Sequence, residues 1–444
     1  MKTSRRTFLK QVSALSAAPL ILPSSVWSAE TKPNDRLVMG FIGMGKQSRG
    51  LLDAFLQQKQ CRVVAVCDVD TTRREDARGR VNKFYTRKPE LGSPDCAACV
   101  DFREITSRDD INAVCIATPD HWHTIPTIEA LRNGKDVYCE KPLTHNIHEA
   151  VAIMDAVREN NRVLQTGSMQ RSMEEFRVAC ELVQNGVIGK IERVECSFGP
   201  PGIPCDLPEE EMEPGLDWDW WVGPAPMRPY HSELSPRGMH DHFPNWRNYK
   251  EFGGGMVCDW GAHHLDIAQW GLGMDGSGPE EIHPPEDPAA TSGAVLHYGN
   301  GVRVIHGGGF GIEFFGADGV VKVNRGQFEL WRGGEKLAGF AKRDDGGSLA
   351  SALKFAKKEF LENAKIRLYE SRDHIRNFLD CVESRQKPVT SEIIGGRSAI
   401  CCHLMNQAYY NHAVIKWNPV EMRFAPDSGK PEWLTREYRA PWSV

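Results

Sequence analysis

Short apolar runs punctuate the first part of the chain, at residues 36–42, 62–67, 112–117, 136–139 and 162–166, and each is followed by a glycine, a threonine-proline pair or an acid. Continuous runs of this length predict strands buried on both faces, as in a parallel sheet. Between them, residues 51–56, 127–132 and 146–159 space their apolar positions three and four apart, the period of amphipathic helices. Strand and helix in alternation predict one α/β domain over residues 36–166.

The pattern changes beyond residue 167. A helix over 173–185 leads to a strand over 190–196, and after a long Pro- and Gly-rich segment residues 291–298, 301–305 and 310–323 are strand-like. Turn signals at Gly299-Asn300 and Asp318-Gly319 join these strands as hairpins, which predicts an antiparallel sheet. Helices follow near 353–362, 371–383 and 395–410, and residues 416–444 are expected to pack as an extended tail. The second α/β domain is therefore placed at 167–415.

With 444 residues, 41% hydrophobic and a net charge of -5, the chain is long enough for two or three domains and carries no basic block suited to nucleic acid. The first 29 residues differ: Arg5-Arg6, then Phe8-Leu9-Lys10 and a weakly apolar run, form a twin-arginine export signal. A periplasmic protein is expected, or a membrane-anchored one if the signal is uncleaved. Because that route carries folded proteins, a tightly bound cofactor is expected. The 13 cysteines are odd in number and fall largely in strand-like runs, so no disulfide framework is predicted. Neither Cys96-x-x-Cys99 nor His240-Asp241-His242 has the further ligands a metal site needs, and no metal is expected.

Chemistry enters at the strand ends. After the first strand, Gly43-x-Gly45 with Lys46, Gln47 and Ser48 opens a helix, a turn whose free amides suit a pyrophosphate. Asp68, ending the second strand, sits where an acid binds a ribose diol; this favours NAD, while Arg73 and Arg74 leave NADP open. Thr118, Pro119 and His123 follow one later strand, and Glu140-Lys141 follow the next, on the edge of the sheet where ligands bind. Further on, Asp259, His263 and Asp266 fall on one face of a predicted helix, with Gly253, Gly254 and Gly255 before it.

These motifs, in this order and separation, resemble the Gfo/Idh/MocA family, named for glucose-fructose oxidoreductase and inositol dehydrogenase, over most of residues 36–415. The resemblance implies a Rossmann domain followed by an α/β domain with an open, largely antiparallel sheet, which often serves as an oligomer interface. A homo-oligomer is accordingly expected. It also places Lys141, Asp259 and His263 at the family's catalytic positions. Independently, a neutral His263 can take a hydroxyl proton, Asp259 can orient it, and Lys141 can stabilise an alkoxide.

Residues 217–247 interleave tryptophans with Asp, His, Asn and Arg, which suits a carbohydrate with its apolar ring faces and hydroxyl rim. Arg171, Tyr230, Trp246, Arg247 and His264 join Lys141, Asp259 and His263 as expected substrate contacts. The leading expectation is a sugar or glycoside oxidoreductase that converts a ring hydroxyl, at C3, to a ketone with resident NAD, feeding a separate keto-sugar lyase. The alternatives are an NAD-dependent glycoside hydrolase working by oxidation, elimination, addition and reduction, and a non-catalytic carbohydrate-binding protein that retains NAD.

Overall fold

The computed structural model describes residues 36–343 and 346–444; the expected export segment, 1–29, lies outside them. The first domain is a six-stranded, wholly parallel sheet. Its strands are β1 (Leu37–Ile42), β2 (Cys61–Cys67), β3 (Ala97–Cys99), β4 (Ala113–Ile116), β5 (Asp136–Cys139) and β6 (Leu164–Thr166), in the order β3-β2-β1-β4-β5-β6. The strand order reverses between β1 and β4, which opens a crevice at their carboxyl ends. Burial explains the apolar runs: β4 and β5 are buried at every position. Helix α1 (Lys46–Leu56) puts Leu51, Leu52 and Phe55 onto this sheet, and α2 (Thr71–Arg87) begins at Asp70, whose side chain accepts from the Arg73 amide.

The second domain holds a ten-stranded, mostly antiparallel sheet in the order β14-β13-β12-β11-β7-β10-β9-β8-β15-β16. Its strands are β7 (Ile191–Cys196), β8 (Glu281–His283), β9 (Val295–His297), β10 (Arg303–His306), β11 (Ile312–Gly316), β12 (Gly319–Asn324), β13 (Gln327–Arg332), β14 (Glu335–Phe340), β15 (Ile415–Asn418) and β16 (Arg423–Phe424). The expected strand at 310–323 is the hairpin of β11 and β12, turning at Asp318-Gly319 as anticipated. Strands β13 and β14 were not anticipated, because their solvent-facing positions dilute the apolar signal. The tail is not merely extended, since its first residues supply β15 and β16 to the sheet edge.

Although it falls within 167–415, the helix His374–Ser384 packs Ile375, Phe378 and Leu379 into the core of the first domain, Phe378 lying edge-on to Phe55. The final residues return there too: Trp442 meets Trp122 edge-on at 4.7 Å. All 13 cysteines are free. Among the described residues no cluster of three His, Cys, Asp or Glu could hold a metal, and no helix is long and apolar enough to cross a membrane.

Candidate active site

The predicted Asp/His helix is two segments, α3 (Gly255–Asp259) and α4 (Gly261–Gly271), joined at Trp260. Gly255 makes the entry: its φ is +68°, and a Cβ there would stand 2.2 Å from the Gly202 amide nitrogen. Every residue of α4 is buried, so the helix has no solvent face to reveal its orientation. The two segments set Asp259, Trp260 and His263 in a cleft of about 570 Å3, whose opposite wall is the crevice of the first domain.

On the crevice side, Gly43 turns the chain at φ +82°, and any Cβ would press within 2.8 Å of the Thr118 amide. A Cβ at Gly45 would meet nothing within 4 Å, and no side chain caps the helix that starts there. The amides of α1 thus face open space in the cleft, as an anion requires. Asp68 takes the amides of Met44 (2.6 Å) and Asp70 (2.8 Å), one on each carboxylate oxygen, and the buried hydroxyl of Thr118 lacks any partner. Burial raises the Asp68 carboxyl, and Arg73 opposes this. These features fit a dinucleotide held by Gly43, Gly45, Asp68 and Thr118.

Gln47 donates to Glu140 at 3.0 Å, and His123 bridges the carbonyls of Pro142 (2.7 Å) and Thr118 (3.0 Å). Both tie the strand-end loops together on the cleft wall. Ser48, expected at the cofactor, is instead buried with its hydroxyl on the Met44 sulfur, outside the lining. Of the arginines that left NADP open, Arg73 lines the cleft and donates to Ser235, and Arg74 donates to the carbonyl of Asp68.

Lys141 Nζ donates to Asp259 Oδ1 at 2.6 Å and to the Asp259 carbonyl at 3.0 Å, while Arg247 Nε lies 3.5 Å from the same carboxylate oxygen. Burial raises the Asp259 carboxyl, yet Lys141 and then Arg247 outweigh it and hold the group below its ordinary range. This corrects one expectation: Asp259 serves Lys141 and Arg247 and makes no hydrogen bond to His263. The His263 ring is buried, and its Nδ1 has no protein partner. Burial, then the charges of Lys141 and Arg325, keep its pKa well below the usual histidine value.

Three expected substrate contacts lie outside the cleft lining. Arg171 is 2% exposed and grips Asp266 and Asp275, so Asp266, one turn beyond His263, faces Arg171 rather than the cleft. His264 Nδ1 is bound to the Ser197 carbonyl at 2.7 Å. Tyr230 donates to the Ser235 carbonyl and packs edge-on to Trp218, within a small core that the inserted segment forms for itself from Trp218, Trp221, Trp246 and Phe252. Tyr230 and Trp218 are thus structural, while Trp220, Trp221 and Trp246 of the insert reach the lining, as do Phe243 and Trp260, 53% and 39% exposed.

The sequence reading missed Asp120 and Arg325, which also line the cleft. Arg325 sits in the turn between β12 and β13 and stacks on the Trp260 ring at 4.8 Å. Asp120 stands within the Thr-Pro-Asp-His-Trp-His stretch at the end of β4, where the strand-end rule applied to Thr118 pointed equally to it. Residues 234–247 form a strap from the second domain to α1. Asp241 pairs with Lys46 (3.5 Å) and Arg49 (3.3 Å), and Arg49 also holds the His240 carbonyl.

A backbone cradle for a dinucleotide facing side chains that can manage a proton defines the class of nicotinamide-dependent oxidoreductases. Comparison with known proteins gives the family. Residues 37–168 match the oxidoreductase family's NAD-binding Rossmann fold, and residues 202–310 match its C-terminal alpha/beta domain; the chain belongs to the Gfo/Idh/MocA family. A glycosyl hydrolase family 109 protein of Shewanella putrefaciens is 27% identical over 212 residues, covering 44% of this chain and 45% of that protein. The chain therefore spans under half the length of that relative. In fold it is similar to the WlbA dehydrogenase from Bordetella pertussis, solved with NADH and UDP-GlcNAcA (TM-score 0.59, 16% identity, 86% of this chain and 98% of that one). The aldose-aldose oxidoreductase from Caulobacter crescentus is similar too (TM-score 0.55, 16% identity, 86% and 99%).

Proposed function

We propose that this protein is a periplasmic oxidoreductase that converts a ring hydroxyl of a sugar or glycoside, at C3, to a ketone while keeping its NAD resident. The observation that carries this reading is the placement of Lys141, Asp259 and a neutral His263 in one cleft with the dinucleotide cradle. When bound, the nicotinamide supplies the acceptor for the hydrogen and electron pair leaving the carbon.

The chain's own residues handle the proton. Lys141 has three N–H donors and spends two on Asp259, which leaves one for the reacting oxygen. Its charge stabilises the developing alkoxide, and Asp259 fixes its position. His263, neutral and with a free ring nitrogen, accepts the hydroxyl proton. Trp260 offers an aromatic face to the sugar, and Arg247 and Arg325 donate to its hydroxyls. The strap, pinned to α1 beside the glycine turn, supports retention of the cofactor.

The test is mass spectrometry of the nucleotide released on denaturing the purified protein, followed by absorbance of reduced nicotinamide after a glycoside panel is added. Recovered NAD that a glycoside reduces, with a keto-glycoside as product, is the expected result. Protein that neither carries nor binds NAD refutes the reading. The glycoside-hydrolase reading, favoured by the relative above, predicts free sugar with no net reduction of the cofactor.

A further inference from the structure

Five lysines and arginines line the cleft, and four already have a carboxylate: Lys46 has Asp241 (3.5 Å), Arg73 has Asp70 (3.6 Å), and Lys141 and Arg247 share Asp259 (2.6 and 3.5 Å). Among the described residues Arg325 alone of the five forms no ion pair.

Arg325 is nevertheless held in place. The turn that carries it is pinned on both sides, the Gly326 amide donating to Glu175 at 3.0 Å and the Asn324 side chain to the Phe310 carbonyl at 2.8 Å. The guanidinium lies over the Trp260 ring, and its Nε donates at 3.3 Å to Gln170, whose amide nitrogen donates in turn to the His263 carbonyl at 3.0 Å. Both Nη groups are left for the cleft, on a side chain that solvent reaches. Burial, then Lys141, then Arg325 keep His263 neutral, so this charge stands at the reacting end, whereas the glycine turn and Lys46 belong to the first domain's wall. A ring hydroxyl takes one N–H and leaves the charge and the second Nη unmatched. A carboxylate takes both Nη groups side by side and balances the charge.

We propose that the substrate is an acidic sugar, a glycuronide whose C6 carboxylate is received by Arg325, and that this pair sets the ring so that the reacting hydroxyl meets His263 and Lys141. The inference deepens the oxidoreductase reading above and rests on it. In a hexuronide the acid is carried on C5, clear of the C3 hydroxyl, so both groups can be engaged at once. Because the guanidinium is fixed before the sugar arrives, little ordering is left to oppose binding.

The experiment offers the NAD-loaded protein methyl glycosides of the gluco and galacto series that differ only at C6: hydroxymethyl, carboxylate, the methyl ester of that carboxylate, and 6-phosphate. Reduction of the bound NAD is followed as the concentration is raised. The carboxylate should be preferred over the hydroxymethyl compound and the ester by about 10- to 100-fold in second-order rate, mostly through a lower half-saturating concentration, the scale of hydrogen bonds to a charged group. Arg325→Gln, with retained NAD as the check on folding, should erase the preference, and Arg325→Lys, which keeps the charge but loses the fork, should keep part of it. No preference in the wild type, a preference that survives in Arg325→Gln, or a stronger one for the 6-phosphate would each overturn the proposal. If none of the compounds reduces the bound NAD, calorimetry with the same set separates the two questions. Carboxylate binding that disappears in Arg325→Gln would uphold the acid subsite and remove the oxidation reading, and its absence would remove both.

Discussion

Replacing Arg171 by methionine tests whether the buried charges behind the cleft stand as an ion-pair network. Arg171 donates to Asp266 at 2.9 Å from both Nε and Nη2, and to Asp275 at 2.8 and 2.7 Å. Asp275 is 34% exposed and regains water when the arginine goes, but Asp266 is 1% exposed and keeps only the Ser398 hydroxyl. The cost therefore concentrates on one buried carboxylate, and removing one partner of such a pair typically costs about 3–5 kcal/mol. Burial already raises the Asp266 carboxyl against the opposing effect of Arg171. In the variant it rises further, so the folded state binds a proton that the unfolded state releases. Stability then falls as pH rises from the unfolded carboxylate range towards the folded pKa, by up to about 1.4 kcal/mol per pH unit. Urea unfolding at several pH values is the assay, with Arg171→Met/Asp266→Asn expected to recover most of the loss. A loss below about 1 kcal/mol at neutral pH, against the usual range for a broken buried pair, would refute the reasoning. A penalty that shrank as pH rose would do the same.

Lys141→Met should retain NAD yet lose turnover by about 100- to 1,000-fold, the usual scale for one oxyanion donor, as read by released nucleotide and initial rates. Since His263 is held well below the ordinary histidine pKa, kcat/KM should show no acid limb from this ring near pH 6.5; a limb there that disappears in His263→Gln would contradict the assignment. Gly255→Ala combines a positive φ with a backbone clash, and should lower stability by at least about 2 kcal/mol in thermal or urea unfolding. Asp241→Asn removes the ion pairs to Lys46 and Arg49, worth up to about 1 kcal/mol with Asp241 exposed, so stopped-flow cofactor release should quicken by up to about 5-fold, and high salt should erase the difference.

The first domain was legible in the sequence because its signals are local. A buried strand reads as a short apolar run, and glycine turns and strand-end acids follow at fixed offsets, which located Gly43, Gly45, Asp68, Thr118, Glu140 and Lys141. What failed was anything decided by a distant partner. Arg171 and Asp266 are 95 positions apart, and neither shows in sequence that it is spent on the other. Tyr230 and Trp218 look in sequence just like the cleft-lining Trp220, Trp221 and Trp246, since a sugar platform and a private core both want aromatic area. Asp259 and His263 were placed correctly in the cleft, yet their relation was misjudged, because Lys141, 118 positions earlier, takes the carboxylate. Arg325 carried no signal at all, being one more polar residue in a hairpin turn.

The path of the chain has a mechanical consequence. After leaving the first domain at residue 167, the polypeptide returns to it with the helix His374–Ser384 and again with Trp442. Two bodies joined by one strand of chain can swing about it as on a pin; bodies stitched at several separated places resist every such axis. The strap at 234–247 adds a further stitch, held to α1 through the exposed Asp241 and to α2 through the buried Arg73. In build the molecule is less a jaw than a fixed box.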